Sequence, residues 1–258
     1  MKHTLHLGMF DMDYLRFGTG RGALVIIPGL SLTPLCPLES AIVSAYSAFT
    51  RDYTVFFFDR RTNPPEGYST FDMAEDTFKA LTTLDVDRFD VMGLSHGGMI
   101  ALSLALNHPD NIRSLILGCT ASRPNPVTRQ AIGGWIELAK AGDARALNEN
   151  MIERVFSVEF AAQLKPALLA STPDVDFNEF ITLAAPIITF DVYDRLNEIK
   201  APALVLGSWG DRVLSAEASV EIAQKLGCDL RMFDSRTGHG VYDETPEFIA
   251  HAAKFLQA

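Results

Sequence analysis

The chain has 258 residues, of which 48% are hydrophobic and 21% charged, a composition that excludes an intrinsically disordered protein. Its 22 basic and 32 acidic residues give a formal net charge of −10. No stripe of Lys and Arg is present, which argues against a nucleic-acid partner. The three cysteines, Cys36, Cys119 and Cys228, are widely spaced and form neither a metal-binding nor a disulfide pattern.

The first residues lack the apolar run and the small-residue cleavage site of a signal peptide. The stretch 91–109 carries no formal charge, but Gly93, Ser95, His96 and other polar or small residues interrupt it, which argues against a membrane span. We therefore expect a cytoplasmic protein with no membrane partner. The sequence leaves open whether the chain forms a homodimer.

Short apolar runs rich in Val, Ile and Phe predict strands that are buried on both faces. In chain order they lie at 23–27, 53–58, 89–94 and 114–119. The sheet pattern returns later in the chain, with strands predicted at 203–207 and 229–233. Helical spacing of apolar residues predicts helices at 71–84 and 96–107, between these strands. Alternating strands and helices indicate an α/β protein, with a parallel sheet and helices on both faces.

The alternation stops in the middle of the chain, where residues 121–200 carry no convincing strand. Asn125-Pro126 is typical of a helix start, and Gly142-Asp143 of one helix ending before the next begins. Three prolines, at positions 166, 173 and 186, are predicted to break the rest into short pieces. We predict a core formed by residues 1–120 and 201–258, interrupted by a helical insertion at 121–200. The last helix is predicted to start at Thr245-Pro246.

The segment Gly93-Leu94-Ser95-His96-Gly97 fits the pattern G-x-S-x-G. By itself the pattern is weak, but here it lies where a predicted strand meets a predicted helix. Small residues allow the sharp turn that holds a serine side chain above the edge of the sheet. The positive N-terminal end of the following helix would stabilise a developing oxyanion there. We predict that Ser95 is a nucleophile.

A serine hydroxyl needs a base to remove its proton, and six histidines could supply one. His239 lies in the loop between the last predicted strand and the last helix, at the edge of the sheet where α/β proteins place their sites. The others lie on a first strand, beside Ser95, at a helix end or inside the last helix. We therefore predict that His239 is the base.

The base in turn needs an acid that fixes its tautomer and stabilises its positive charge. Asp211 follows the strand 203–207, and the order Ser, Asp, His favours it as this acid. The alternative, an acid after the strand 114–119, fails because that strand ends in Cys119-Thr120-Ala121. Asp59 also ends a strand, but it precedes Ser95, and we interpret Asp59-Arg60 as residues that hold a loop.

Together these motifs resemble the α/β-hydrolase superfamily, specifically its small members with a helical cap, over nearly the whole chain. The resemblance rests on Ile27-Pro28-Gly29-Leu30, Phe58-Asp59-Arg60, residues 93–98, the segment 207–211 and Gly238-His239-Gly240. It implies a mostly parallel eight-stranded sheet with helices on both faces and a helical cap insertion. It also implies an oxyanion hole formed by the backbone N–H groups of Leu30 and His96. Pro28-Gly29 stands where many members have His-Gly.

The resemblance is specific for the fold and the catalytic apparatus, not for a substrate, and it implies no cofactor or metal. We predict a serine hydrolase that cleaves a carboxylic ester of a small uncharged molecule. An amidase or aminopeptidase, a lactonase or a C–C bond hydrolase would use the same triad and stays open. The aminopeptidase would need carboxylates to hold a substrate ammonium, and the predicted insertion carries six that could do so: Glu149, Glu153, Glu159, Asp174, Asp176 and Glu179. A ligand-binding receptor that retains the hydrolase fold is the alternative from another class.

Overall fold

The structure, a computed structural model, describes residues 2–257, which form eight strands and ten α-helices. The strands are β1 (Lys2–His6), β2 (Asp11–Phe17), β3 (Gly22–Ile27), β4 (Tyr53–Arg61), β5 (Phe89–Leu94), β6 (Ile112–Gly118), β7 (Ala203–Ser208) and β8 (Asp229–Phe233). The helices are α1 (Glu39–Ala45), α2 (Thr70–Thr83), α3 (His96–Asn107), α4 (Pro126–Lys140), α5 (Ala144–Val155), α6 (Val158–Leu168), α7 (Phe177–Ala184), α8 (Ala216–Leu226), α9 (Val241–Glu244) and α10 (Pro246–Leu256).

The described strands form one sheet in the order β1-β2-β4-β3-β5-β6-β7-β8. Pairs β1–β2 and β2–β4 are antiparallel, and the other pairs are parallel. The predicted mostly parallel eight-stranded sheet with helices on both faces is thus confirmed. Because parallel strands end at the same edge, the loops that follow β3, β5, β7 and β8 meet there.

Two hydrophobic layers cover the sheet, one on each face. Phe89 and Val91 of β5 pack into the layer that contains α2, α3, α4 and α8, whereas Met92 and Leu94 pack into the layer that contains α1 and α10. Consecutive residues of a strand point to opposite faces, so a strand buried on both sides is apolar throughout. This is why the continuous apolar runs identified the central strands.

The structure adds elements that the apolar runs did not indicate and corrects one expectation. In strand β2, which lies second from the edge of the sheet, buried Met12 and Tyr14 alternate with half-buried Asp11 and Asp13, so a period of two replaces a continuous apolar run. Helix α8 was also not predicted. The prediction that Pro166 breaks its helix is wrong, because α6 continues through it to Leu168. A proline so near a helix end removes only one of the last hydrogen bonds.

The described chain between β6 and β7 contains α4, α5, α6 and α7, short 3-10 turns and no strand. Side-chain caps start these helices, since Asn125, Asp143, Ser157 and Asp176 each accept a hydrogen bond from a backbone N–H in the first turn. Within residues 2–257, no helix combines the length and the apolar character that a membrane crossing requires.

Candidate active site

Ser95 occupies a strained turn between the end of β5 and the start of α3. Its backbone has φ +55° and ψ −123°, a conformation that side-chain-bearing residues rarely adopt. Hydrogen bonds on both sides hold it there. The Ser95 N–H donates to the Gly118 carbonyl at 2.8 Å, and the Ser95 carbonyl accepts from the Thr120 hydroxyl at 2.7 Å. This is the geometry of a nucleophile elbow, which projects the serine side chain from the sheet.

The glycines of the G-x-S-x-G pattern are required by close backbone contacts. A Cβ on Gly93 would lie 2.4 Å from the Gly97 carbonyl oxygen, and one on Gly97 would lie 2.0 Å from the Ile27 carbonyl oxygen. Both distances are shorter than any Cβ tolerates. The turn therefore packs tightly only because these two positions carry no side chain.

The loops after β7 and β8 bring two further predicted residues to Ser95. His239 places Nε2 2.8 Å from Ser95 Oγ, and its Nδ1 lies 2.8 Å from Asp211 Oδ2. The three residues are 144 and 28 positions apart in the chain but form one continuous hydrogen-bonded row. All three residues are buried, and none is more than 9% exposed, so the row is shielded from bulk water.

Asp211 is held as a buried carboxylate. Its Oδ1 accepts hydrogen bonds from the backbone N–H groups of Val213 at 2.8 Å and Leu214 at 2.9 Å. Burial alone would raise the pKa of Asp211, but the His239 ring and these two N–H groups outweigh it, so the pKa is lowered from its ordinary value. The ionised carboxylate can therefore orient His239 and stabilise positive charge on its ring.

The loop after β3, which contains Leu30, lies against the nucleophile turn. A Cβ on Gly29 would lie only 3.0 Å from the Ser95 Cβ. The Leu30 N–H has no acceptor within residues 2–257, and the His96 N–H, at the first position of α3, has no preceding turn to bond to. These two predicted donors therefore remain available for a ligand oxygen.

Asp59 and Arg60 fix the chain around this loop, as predicted. The Asp59 carboxylate accepts from the backbone N–H groups of Leu35 at 2.8 Å and Cys36 at 2.7 Å. Arg60 donates to the Pro28 carbonyl at 2.6 Å. Burial lowers the pKa of Arg60 to about 10, so the guanidinium remains charged near neutral pH. Pro28, which departs from the common His, is thus anchored through its carbonyl oxygen.

The His96 side chain is not arranged as an alternative base. It is buried, its Nε2 lies 3.4 Å from the Thr70 hydroxyl, and its Nδ1 has no hydrogen-bond partner among the described residues. Burial, assisted by the positive charge of Arg60, lowers the pKa of His96 well below its ordinary value. The ring is therefore neutral and contacts Thr70 of α2.

The sequence did not predict that a buried thiol would lie beside the Asp211–His239 pair. In the described part of the chain, the one cluster of three metal-ligating side chains is Cys119, Asp211 and His239, with ligand atoms within 4.8 Å of one another. Burial, reinforced by the Asp211 carboxylate, raises the pKa of the Cys119 thiol well above its usual range. A protonated thiol is a poor metal ligand, and the other two side chains already bind each other. The cluster therefore fits a hydrogen-bonded pair better than a metal site.

Hydrogen bonds join the turn between α5 and α6 to the two loops that carry Asp211 and His239. Glu244 Oε1 accepts from Gly238 N–H at 2.8 Å and from Ser157 N–H at 2.9 Å, so one carboxylate oxygen bridges the His239 loop and the insertion. Arg212, next to Asp211, donates to the carbonyls of Glu153 and Phe156. Glu244 and Arg212 thus connect the α5–α6 turn to the loops that carry His239 and Asp211.

We expect Glu244→Ala to reduce kcat by about tenfold or more, because two partly buried N–H groups lose their acceptor and the loop that carries His239 is no longer held in place. Glu244→Gln keeps an acceptor oxygen and should remain within about threefold of the parent. The exposed Glu247, on the neighbouring helix α10, provides the matched control Glu247→Ala. Steady-state kinetics and thermal unfolding of the three variants test this expectation, and an unchanged kcat in Glu244→Ala would contradict it.

A parallel sheet with a serine at a strained strand–helix turn and a histidine on the loop after the last strand defines the architecture of the α/β hydrolases. A model of this family, described as alpha/beta hydrolase fold, matches residues 23–246. The chain belongs to the alpha/beta hydrolase family and is a hydrolase.

Known proteins similar to this chain carry hydrolase names. A relative from Caulobacter segnis, named "Putative carbamate hydrolase RutD", is 28% identical over 92% of each chain. Among solved structures, an alpha/beta hydrolase enzyme from a Medee basin deep-sea metagenome library superimposes with a TM-score of 0.89 at 22% identity, over 99% of this chain and 98% of its own. The enol-lactonase from Burkholderia xenovorans LB400 gives a TM-score of 0.85 at 21% identity, over 99% and 100%. At these identities the solved structures establish the fold alone.

Proposed function

We propose that the chain is a serine hydrolase that cleaves a carboxylic ester of a small uncharged molecule through an acyl-enzyme. The observation that carries the proposal is the row of hydrogen bonds from Ser95 Oγ to His239 and on to Asp211, each 2.8 Å long. Ser95 is the nucleophile, His239 the general base and Asp211 the acid that orients it. The backbone N–H groups of Leu30 and His96 form the oxyanion hole.

The proposed reaction has two steps that use the same groups. Ser95 Oγ attacks the ester carbonyl while its proton moves to His239 Nε2, and the Leu30 and His96 N–H groups stabilise the negative carbonyl oxygen. When the ester C–O bond breaks, the alcohol leaves with the proton from His239. Water then attacks the acyl-enzyme with His239 again as base, which releases the acid and restores Ser95.

A polar cavity on one side of the loop 28–33 supports a substrate without negative charge. This cavity of about 160 Å³ is lined by Asp59, Asp174, Asp176 and Glu179, with Arg60 as its basic side chain. Burial and then the charges of Asp176 and Asp59 raise the pKa of Glu179, the direction expected where carboxylates face one another. Four carboxylates against one guanidinium repel an anionic substrate.

The same cavity favours a second candidate substrate, an ester or amide that carries an ammonium group. Of the six insertion carboxylates, Asp174, Asp176 and Glu179 line this cavity, whereas Glu149 and Glu153 bind Lys165 elsewhere. Aminoacyl esters and amides therefore belong in the substrate panel beside neutral esters, lactones and anionic esters. We also propose that residues 121–200 act as a cap over the site, held there by Glu244 and Arg212.

Active-site labelling tests the nucleophile. A fluorophosphonate should attach once per chain, at Ser95, and should abolish turnover of a generic ester such as p-nitrophenyl acetate. Peptide mass spectrometry locates the label, and Ser95→Ala provides the unlabelled control. A chelator should leave both labelling and turnover unchanged. Loss of activity with chelator, or a label on another residue, would overturn the proposal.

A further inference from the structure

A second, apolar chamber lies on the other side of the loop 28–33. It has a volume of about 510 Å³, within the range of small-molecule sites, and extends between the segment 30–46 and helix α5. Asp243 is the one charged residue among its described lining residues, and it is exposed to solvent. The mechanism proposed above assigns this chamber no role.

The inner end of the chamber is lined by residues that neighbour the proposed reacting groups. Leu94, which directly precedes Ser95, lines it, and so does Leu30, the proposed oxyanion donor. Tyr242 completes this end, and its ring meets the His239 ring edge to face, with centroids 6.5 Å apart. A group that fills the chamber is therefore bordered by Leu30, by the residue that precedes Ser95 and by the ring that contacts His239.

Two helices, α1 and α5, form the side walls of the chamber. From α1 and the residue before it come Leu38, Ala41, Ile42 and Ala45, spaced so that they share one face, and the two alanines leave room between the walls. From α5 come Met151, Ile152 and Val155. The mouth is apolar as well, since Leu38 is 56% exposed and the opposite Leu168 is 44% exposed.

Resting on the proposed function, we infer that this chamber binds the apolar acyl chain of the ester, and that the preferred substrates are esters of unbranched fatty acids longer than acetate. The alcohol and the hydrolytic water are polar and need hydrogen-bond partners, which the carboxylates and Arg60 of the polar cavity offer. The acyl chain needs no hydrogen-bond partner, and each methylene that it buries should increase kcat/KM about fourfold.

The inference is tested with p-nitrophenyl acetate, butyrate, hexanoate and octanoate, which vary the acyl chain at a constant alcohol. In the parent enzyme kcat/KM should rise at least about tenfold from acetate to hexanoate. Ala45→Phe fills the chamber from the exposed side of α1, and it should lower the hexanoate-to-acetate ratio by about tenfold. Ser44→Phe places the same ring on the neighbouring exposed residue outside the chamber and should keep the parent ratio.

Thermal unfolding and circular dichroism establish that both variants fold, and Ala41→Phe replaces Ala45→Phe if that variant does not. An unchanged ratio in the chamber variants would overturn the inference. So would a parent profile that is flat in acyl length but steep in alcohol length across alkyl acetates. In either case Ser95-dependent acetate turnover would leave the proposed function standing, whereas absence of turnover for every ester, with no label at Ser95, would remove the function itself.

Discussion

Ser95→Ala should lower kcat for ester hydrolysis by about 10⁶-fold, since an enzyme of this type loses covalent catalysis with its nucleophile. The residual rate should exceed the uncatalysed rate by about 10³–10⁴-fold, because the oxyanion donors and the binding site remain. Stability should change little, because alanine adopts the backbone conformation of Ser95 at no greater cost than serine. Kinetics with p-nitrophenyl esters, together with thermal unfolding, measures both effects.

Ser122→Ala is the matched control for this prediction. Ser122 is also a buried serine close to a strand end, but its Oγ has no hydrogen-bond partner among the described residues. Removing an unsatisfied buried hydroxyl should leave activity intact and stability unchanged or slightly improved. Normal turnover by purified Ser95→Ala would remove Ser95 from the mechanism, whatever the behaviour of the control.

Asp211→Asn should lower kcat by about 10⁴-fold while the fold is retained. The asparagine oxygen can still accept from the Val213 and Leu214 N–H groups, so its amide NH₂ then faces His239 Nδ1. This amide donates, so it selects the His239 tautomer that carries its proton on Nε2, and that tautomer cannot accept the Ser95 proton. Asp59→Asn should have a much milder effect on kcat, because the buried Asp59 carboxylate binds the backbone N–H groups of Leu35 and Cys36 and not the His239 ring.

The lowered pKa of Asp211 also predicts how stability depends on pH. A carboxyl whose pKa is lower in the folded than in the unfolded state stabilises the fold above its unfolded pKa, about 3.9, and loses this contribution as pH falls through the folded value. The difference in free energy of unfolding between parent and Asp211→Asn should therefore shrink as the pH falls below about 4. Urea unfolding across this range measures the difference, and a difference that grows towards acid would contradict a lowered pKa of Asp211 in the folded state.

The elements that were predicted correctly are those whose sequence patterns depend on neighbouring residues. Strand β5 and helix α3 were predicted closely because their patterns depend on neighbouring residues. Strand β2 was missed because its buried residues partly alternate with half-buried aspartates instead of forming a continuous apolar run. Pro166 was misinterpreted because the cost of a proline depends on its place in the helix. The order Ser, Asp, His selected Asp211, yet only the folded chain brings its Oδ2 to His239.

The sequence by itself determined the class of sheet, the position of Ser95 at the end of a central strand and the loops that carry Asp211 and His239. These follow from apolar runs, glycine positions and chain order, which are local properties. Only the tertiary structure decided that Cys119 lies beside the acid–base pair and that Glu244 joins the His239 loop to the α5–α6 turn. It also decided that the loop 28–33 separates the polar cavity from the apolar chamber. Such contacts join residues far apart in the chain, and no local pattern encodes which distant side chains pack together.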